Sequence, residues 1–253
     1  MHFHAVGEGP VVLFLHGSGP GASGWSNFRD NAAVLAEAGF RCLLPDSLGY
    51  GLSSKPTDRP YTLEFMAGAA VALMDTLGID RFSLVGNSQG GAQAIHIALA
   101  HPERVHKLVL MAPGGLEERE TYMEMPGIRS MLRCLYGPEG LTLDGMQRVF
   151  TKQVFDPSKV PEGVIERRFA VAQTQPRHVF ETMAVPNQEA RLSEIQAPTL
   201  ALWGKNDVFC PPSGADKLRR IPDCTVIEIE DCGHWVMVEH SDLFNRAVLE
   251  FLQ

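Results

Sequence analysis

The chain has no C-x-x-C pair. Its five cysteines (Cys42, Cys134, Cys210, Cys224 and Cys232) are scattered and odd in number. That argues against a zinc knuckle and a disulfide framework, and it fits a reducing, cytoplasmic setting. No block of basic residues occurs and the formal net charge is −8, so neither nucleic acid nor an anionic membrane is an expected partner. No apolar run is long enough to span a bilayer. Met1-His2-Phe3-His4 lacks the basic-then-apolar pattern of a secretory leader, so no signal peptide is expected. Internal repeats and low-complexity tracts are missing. So are Gly-Lys-Ser/Thr and G-x-G-x-x-G, which removes the usual phosphate-binding loops.

What is present is a chain of 253 residues, 45% hydrophobic and 21% charged, enough for one large core with room for an insertion. β-rich apolar runs at 2–6, 11–15, 41–45, 81–86, 107–111, 198–203 and 225–229 alternate with helical patterns at 27–38, 62–77, 89–101, 212–220 and 241–252. This alternation predicts an α/β fold, a mostly parallel sheet with helices on both faces. From 116 to 190 no strand is expected. Helical stretches near 126–136, 142–155, 161–175 and 177–184 are instead separated by proline and glycine. The expected organisation is a core of 1–115 and 191–253 interrupted by a helical cap, 116–190, over the edge where open α/β sheets bind ligands. A packing unit with no role at the site is the alternative.

Gly86-Asn87-Ser88-Gln89-Gly90 reads G-x-S-x-G between a strand and a helix. At such a sharp turn a strained serine presents its hydroxyl at a helix N-terminus. A serine hydroxyl is a poor nucleophile at neutral pH and needs a histidine base, which in turn needs a carboxylate to fix its tautomer. Ser88, Asp207 and His234 follow in that order, each just after an expected strand. The rivals are weaker. His96 and His101 lie in the helix after the serine, His16 reads as structural, and His178 and His240 lack strand-end context. Asp46 reads as a turn-stabilising residue, and His2 and His4 as ordinary surface residues. Gly17, Ser18 and the glycines after them let the backbone approach a ligand. The main-chain N–H groups of Ser18 and Gln89 are the expected oxyanion donors.

With these pieces in place, the chain resembles the α/β-hydrolases throughout. More narrowly it resembles the meta-cleavage product hydrolases, which break carbon–carbon bonds in aromatic-ring degradation. The resemblance rests on His16-Gly17-Ser18-Gly19-Pro20-Gly21-Ala22 with Gly24-Trp25-Ser26-Asn27, and on Gly86-Asn87-Ser88 with Gly90-Gly91. Met111-Ala112-Pro113-Gly114-Gly115, Trp203-Gly204 with Asp207, and Cys232-Gly233-His234-Trp235 with Glu239-His240 complete it. It departs from the family pattern at Gln89, at Asp46–Gly51 and at Val236–Val238, and few residues precede the 11–15 strand.

The resemblance implies a small-molecule substrate of the 2-hydroxy-6-oxohexa-2,4-dienoate type, no metal or organic cofactor, and association into a dimer or larger. It places Arg168 on the substrate carboxylate and puts Asn27, Asn87 and Trp235 along the same site. Arg168 also has Val164, Ile165, Val171 and Ala172 at helical spacing. An arginine on such an apolar stripe needs an anion, either a substrate or a structural carboxylate of the core. Two other readings stay open: a carboxylesterase or lactonase with the same three residues, and a ligand receptor on a hydrolase scaffold.

Overall fold

The computed structural model describes residues 1–253. Seven strands form one sheet: β1 (Phe3–Val6), β2 (Val11–Leu15), β3 (Arg41–Pro45), β4 (Phe82–Asn87), β5 (Val105–Met111), β6 (Thr199–Gly204) and β7 (Cys224–Ile229). Their order is β1-β3-β2-β4-β5-β6-β7. Only β1 runs antiparallel, against β3. The chain leaves β2 toward one side for β3 and returns to the other for β4. The strand order therefore reverses between β2 and β4, and a crevice opens beyond their carboxyl ends.

Period-2 alternation decides which residues face which layer. Val12, Phe14, Val85 and Val109 pack on one side with Phe28, Phe244 and Val248. Leu13, Leu15, Leu84 and Leu108 pack on the other with Met74, Ile95 and Leu218. The first layer is covered by α1 (Gly24–Glu37) and, at the chain's end, by a helix over Ser241–Leu252. The second is covered by α2 (Leu63–Thr76) and α3 (Gln89–Ala100). α1 starts three residues earlier than its apolar periodicity suggests, because Ser23 and Ser26 form a reciprocal capping box.

Between β5 and β6 lie α4 (Arg119–Glu124), α5 (Pro126–Tyr136), α6 (Leu143–Phe150), α7 (Val164–Ala172) and α8 (Arg177–Glu181). No strand of the sheet comes from this stretch, although Thr62 and Ala184 form an isolated bridge. Three of these helices, α6, α7 and α8, are shorter than their sequence patterns, α8 ending at Glu181 rather than 184. α6 ends at Phe150 because tertiary partners claim the backbone beyond it: the Gln153 carbonyl accepts from Trp235 N–H at 2.9 Å, and Glu239 accepts from the N–H groups of Phe155 and Asp156. α7 cannot begin at 161, because Gly163 sits at φ 69°. After β6 come α9 (Gly214–Leu218), α10 (Val236–Glu239) and α11 (Ser241–Leu252).

His2 is not an ordinary surface residue. The β1–β3 register sets it beside Asp46, and its Nδ1 lies 2.9 Å from Asp46 Oδ2. Asp46 is buried and also accepts from the N–H groups of Gly24 and Leu52, both at 2.9 Å. It fastens the turn after β3.

Candidate active site

Ser88 occupies the turn between β4 and α3 with φ 55° and ψ −119°, a backbone state that L-residues rarely adopt. The surroundings hold it there. Its N–H donates to Met111 O at 3.0 Å, and its carbonyl accepts from Gly114 at 2.9 Å and Ala92 at 3.0 Å. A Cβ at Gly86 would lie 2.5 Å from Gly90 O, and one at Gly90 would lie 2.0 Å from Leu15 O. Strand and helix approach too closely for any other residue at either position.

Asp207 follows β6. Its Oδ1 accepts from the N–H groups of Phe209 (2.7 Å) and Cys210 (3.0 Å), which aims Oδ2 at His234 Nδ1, 2.7 Å away. Both side chains are buried. A carboxylate against Nδ1 keeps the proton on that nitrogen and leaves Nε2 as an acceptor. Phe209 stacks on the imidazole with centroids 5.1 Å apart. Ser88 and His234 line one cavity with no hydrogen bond between them.

Gly17 packs against the serine turn, where a Cβ would lie 3.2 Å from Ser88 Cβ. The main-chain N–H groups of Ser18 and Gln89 donate no hydrogen bond. The Gln89 N–H sits at the first residue of α3, where the helix dipole favours negative charge. Asn87 Nδ2 donates to Met111 O and His234 O at 3.3 and 3.4 Å.

Arg168 is 2% exposed on α7. Its Nε donates to Ser26 Oγ at 3.1 Å and its Nη2 to Asn27 Oδ1. The guanidinium carbon stands 4.9 Å from the Trp235 ring centroid and 5.2 Å from that of Phe150. It has no carboxylate partner, so the structural ion pair is not formed. Burial without a counter-ion pushes Arg168 down to about 9. Arg168, Asn27, Asn87, Trp235 and Gly17 line the same cavity as Ser88 and His234.

From the other side of Ser88 a wider cavity of about 600 Å³ opens to solvent, bordered by Ser18, Gln89, Leu63, Ile128, Met131 and Met183 among others. Among the large apolar side chains of the stretch between β5 and β6, Met131 borders it, Phe150 is core and Phe155 is 49% exposed.

Three of the histidine rivals are committed elsewhere, while His96 borders the wider cavity. His16 is fully buried, accepts from Ser47 N–H through Nε2 at 3.0 Å, and is pushed down to about 4 by burial. His178 and His240 bond main-chain carbonyls near the surface. Ligand-type atoms of Asp207, Cys210 and His234 lie within 4.8 Å of one another. Two of these residues are committed to each other, and burial holds the Cys210 thiol far above its ordinary value, which disfavours a thiolate ligand.

Sequence reasoning gave no structural role to Glu239. Its buried carboxylate accepts from the N–H groups of Gly233 (2.7 Å), Phe155 (2.9 Å) and Asp156 (2.7 Å), tying the histidine loop to the segment after α6. Nor did it single out Gln153, on the turn after α6. No local signal marks either, since Phe155 and Asp156 meet Glu239, and Trp235 meets Gln153, only across segments distant in sequence.

A family model described as alpha/beta hydrolase fold matches residues 10–241. A 2-hydroxy-6-oxo-6-phenylhexa-2,4-dienoate hydrolase of Burkholderia cepacia is 38% identical, over 100% of this chain and 91% of that protein. A 2-hydroxy-6-oxononadienedioate/2-hydroxy-6-oxononatrienedioate hydrolase of Comamonas testosteroni is also 38% identical with the same coverage. Among solved structures, the 2-hydroxy-6-oxo-6-phenylhexa-2,4-dienoate hydrolase of a Rhodococcus strain superposes with a TM-score of 0.87 at 28% identity, covering 98% of this chain and 93% of that one.

Proposed function

This chain belongs to the alpha/beta hydrolase family and, within it, to the meta-cleavage product hydrolases, and from that premise we propose that it hydrolyses the C5–C6 bond of 2-hydroxy-6-oxohexa-2,4-dienoates. The observation that carries the reading is Arg168: a buried cation with no counter-ion, on a wall shared with Ser88 and His234. A substrate carboxylate supplies the missing anion. Nothing in ester hydrolysis as such calls for that group.

In the proposed mechanism the carboxylate docks on Arg168, with Asn27 orienting the guanidinium and Trp235 stacked on it. His234 Nε2, its tautomer fixed by Asp207, moves the proton from the 2-hydroxyl to C5. The resulting 2-keto group is an electron sink. Ser88, or a water it positions, adds through oxygen to the C6 carbonyl as His234 Nε2 takes the O–H proton. The N–H groups of Ser18 and Gln89 hold the oxyanion. Collapse breaks C5–C6, its electron pair returns to the keto sink and the proton on His234 passes to the C2 oxygen; where Ser88 attacked, water then cleaves its ester, so that one water is consumed and a 2-hydroxydienoate and a carboxylic acid are released. The group on C6 occupies the wider cavity.

The test compares Arg168→Ala with the parent on two substrates. Bleaching of the coloured 2-hydroxydienoate should slow by roughly 100-fold or more in kcat/KM, while hydrolysis of a small neutral ester stays within about threefold. A parent enzyme that turns over esters and leaves the dienoate colour untouched assigns the site to ester or lactone hydrolysis. A parent that turns over neither fits the receptor reading.

The five free cysteines support a cytoplasmic location. Assembly into a dimer or larger is part of the proposal on family grounds, and sedimentation of the full chain tests it.

A further inference from the structure

Gln153 is 5% exposed and its Oε1 has no hydrogen-bond partner. The residue lines the small cavity that also holds Ser88, His234 and Arg168. Its main chain is fixed. The N–H donates to Phe150 O at 3.0 Å, and the carbonyl accepts from Trp235 N–H at 2.9 Å. The histidine loop presses on it from behind, so closely that a Cβ at Gly233 would lie 2.8 Å from Gln153 O. The side chain lies at the cavity wall with an acceptor unmet, and a buried orphan of this kind is uncommon in a folded protein.

Two unmet groups of different character share the cavity. Arg168 offers N–H donors and positive charge without an anion, and Gln153 offers a neutral acceptor without a donor. We infer that Gln153 reads the 2-hydroxyl of the substrate, accepting its hydrogen bond while Arg168 takes the adjacent carboxylate. In a 2-hydroxydienoate these two functions sit on neighbouring carbons, so one ligand end meets both walls. The inference rests on the substrate class proposed above.

The contact belongs to the enol form, because the C2 oxygen has no proton to donate once it becomes a ketone. Gln153 is thus a positioning residue for the bound ground state. Its loss should raise KM and kcat together and leave kcat/KM nearly unchanged.

The experiment uses full-length Ser88→Ala protein, which binds without turnover. Dissociation constants are measured for 2-hydroxy-6-oxo-6-phenylhexa-2,4-dienoate and for the analogue with hydrogen at C2, each with Gln153 intact and with Gln153→Leu. The expected result is a loss on the order of tenfold for the 2-hydroxy compound and under about twofold for the analogue. Gln153→Met serves as a second apolar variant, and Gln153→Asn should recover part of the discrimination. Equal losses on both ligands would mark a structural role and overturn the inference, as would no loss on either. If both ligands bind with Arg168-dependent affinity but Gln153 does not discriminate, only this inference fails. If the Ser88→Ala protein binds neither ligand, the substrate class and the role of Gln153 fall together.

Discussion

Asn87 Nδ2 donates to the main-chain oxygen of His234 at 3.4 Å, so the strand carrying Ser88 is tied to the loop carrying the imidazole by a side chain next to the serine. The same amide donates to Met111 O at 3.3 Å. Both bonds are long and individually weak. Asn87→Ala should therefore cost only about 1–2 kcal/mol of stability, while kcat falls on the order of tenfold as the imidazole loses its tether. Urea unfolding and steady-state kinetics on the dienoate separate the two effects. A kcat within twofold of the parent would leave Asn87 a support of the turn alone.

Ser88→Ala keeps a Cβ at the strained φ and removes only the hydroxyl. Turnover should fall by at least about 10³-fold with the folded state intact by circular dichroism. Retained turnover would take the nucleophile role from Ser88.

The three N–H groups that converge on Glu239 lose their acceptor in Glu239→Ala. Bonds to a buried charged group are worth more than neutral ones, so a loss of about 3 kcal/mol is expected. Because one of the donors is Gly233, next to His234, kcat should drop as well. Glu239→Gln keeps one acceptor oxygen and should fall between.

His16 is held neutral at about 4 when folded, against 6.5 when free. Its folded value lies below the unfolded one, so its contribution is fully present above pH 6.5 and is lost as pH falls toward 4. The loss is about 3 kcal/mol across that window. Protonation would set an N–H on Nε2 against the Ser47 N–H. His16→Gln should be less stable than the parent at pH 7 and show a shallower slope between pH 6.5 and 4 in denaturant titrations.

Two glycine-to-alanine changes should move in opposite directions. At Gly90 the new Cβ would lie 2.0 Å from main-chain Leu15 O, and about 2–3 kcal/mol of stability should be lost. At Gly68, inside α2, a Cβ meets nothing within 4 Å, and helix propensity should add about 0.5–1 kcal/mol. Thermal melts of the two variants check both signs.

The sequence by itself determined the layers and the chemistry on offer. Period-2 and period-3.6 patterns depend only on near neighbours, so the strands, the main helices and the Ser–Asp–His order after β4, β6 and β7 could be read directly. The glycines of the serine turn could be read because close approach admits no Cβ. Only the tertiary structure decided who partners whom. Arg168 could have met a carboxylate, but the fold gives it Asn27, Ser26 and two aromatic rings. His2 meets Asp46 because β1 pairs with β3. Glu239 joins the N–H groups of Phe155 and Asp156 to that of nearby Gly233, and Gln153 lines the site cavity with an acceptor unmet. A side chain's pattern records which face it is on, whereas its hydrogen-bond partners come from segments that meet only when the sheet closes and the helices between β5 and β6 fold over it.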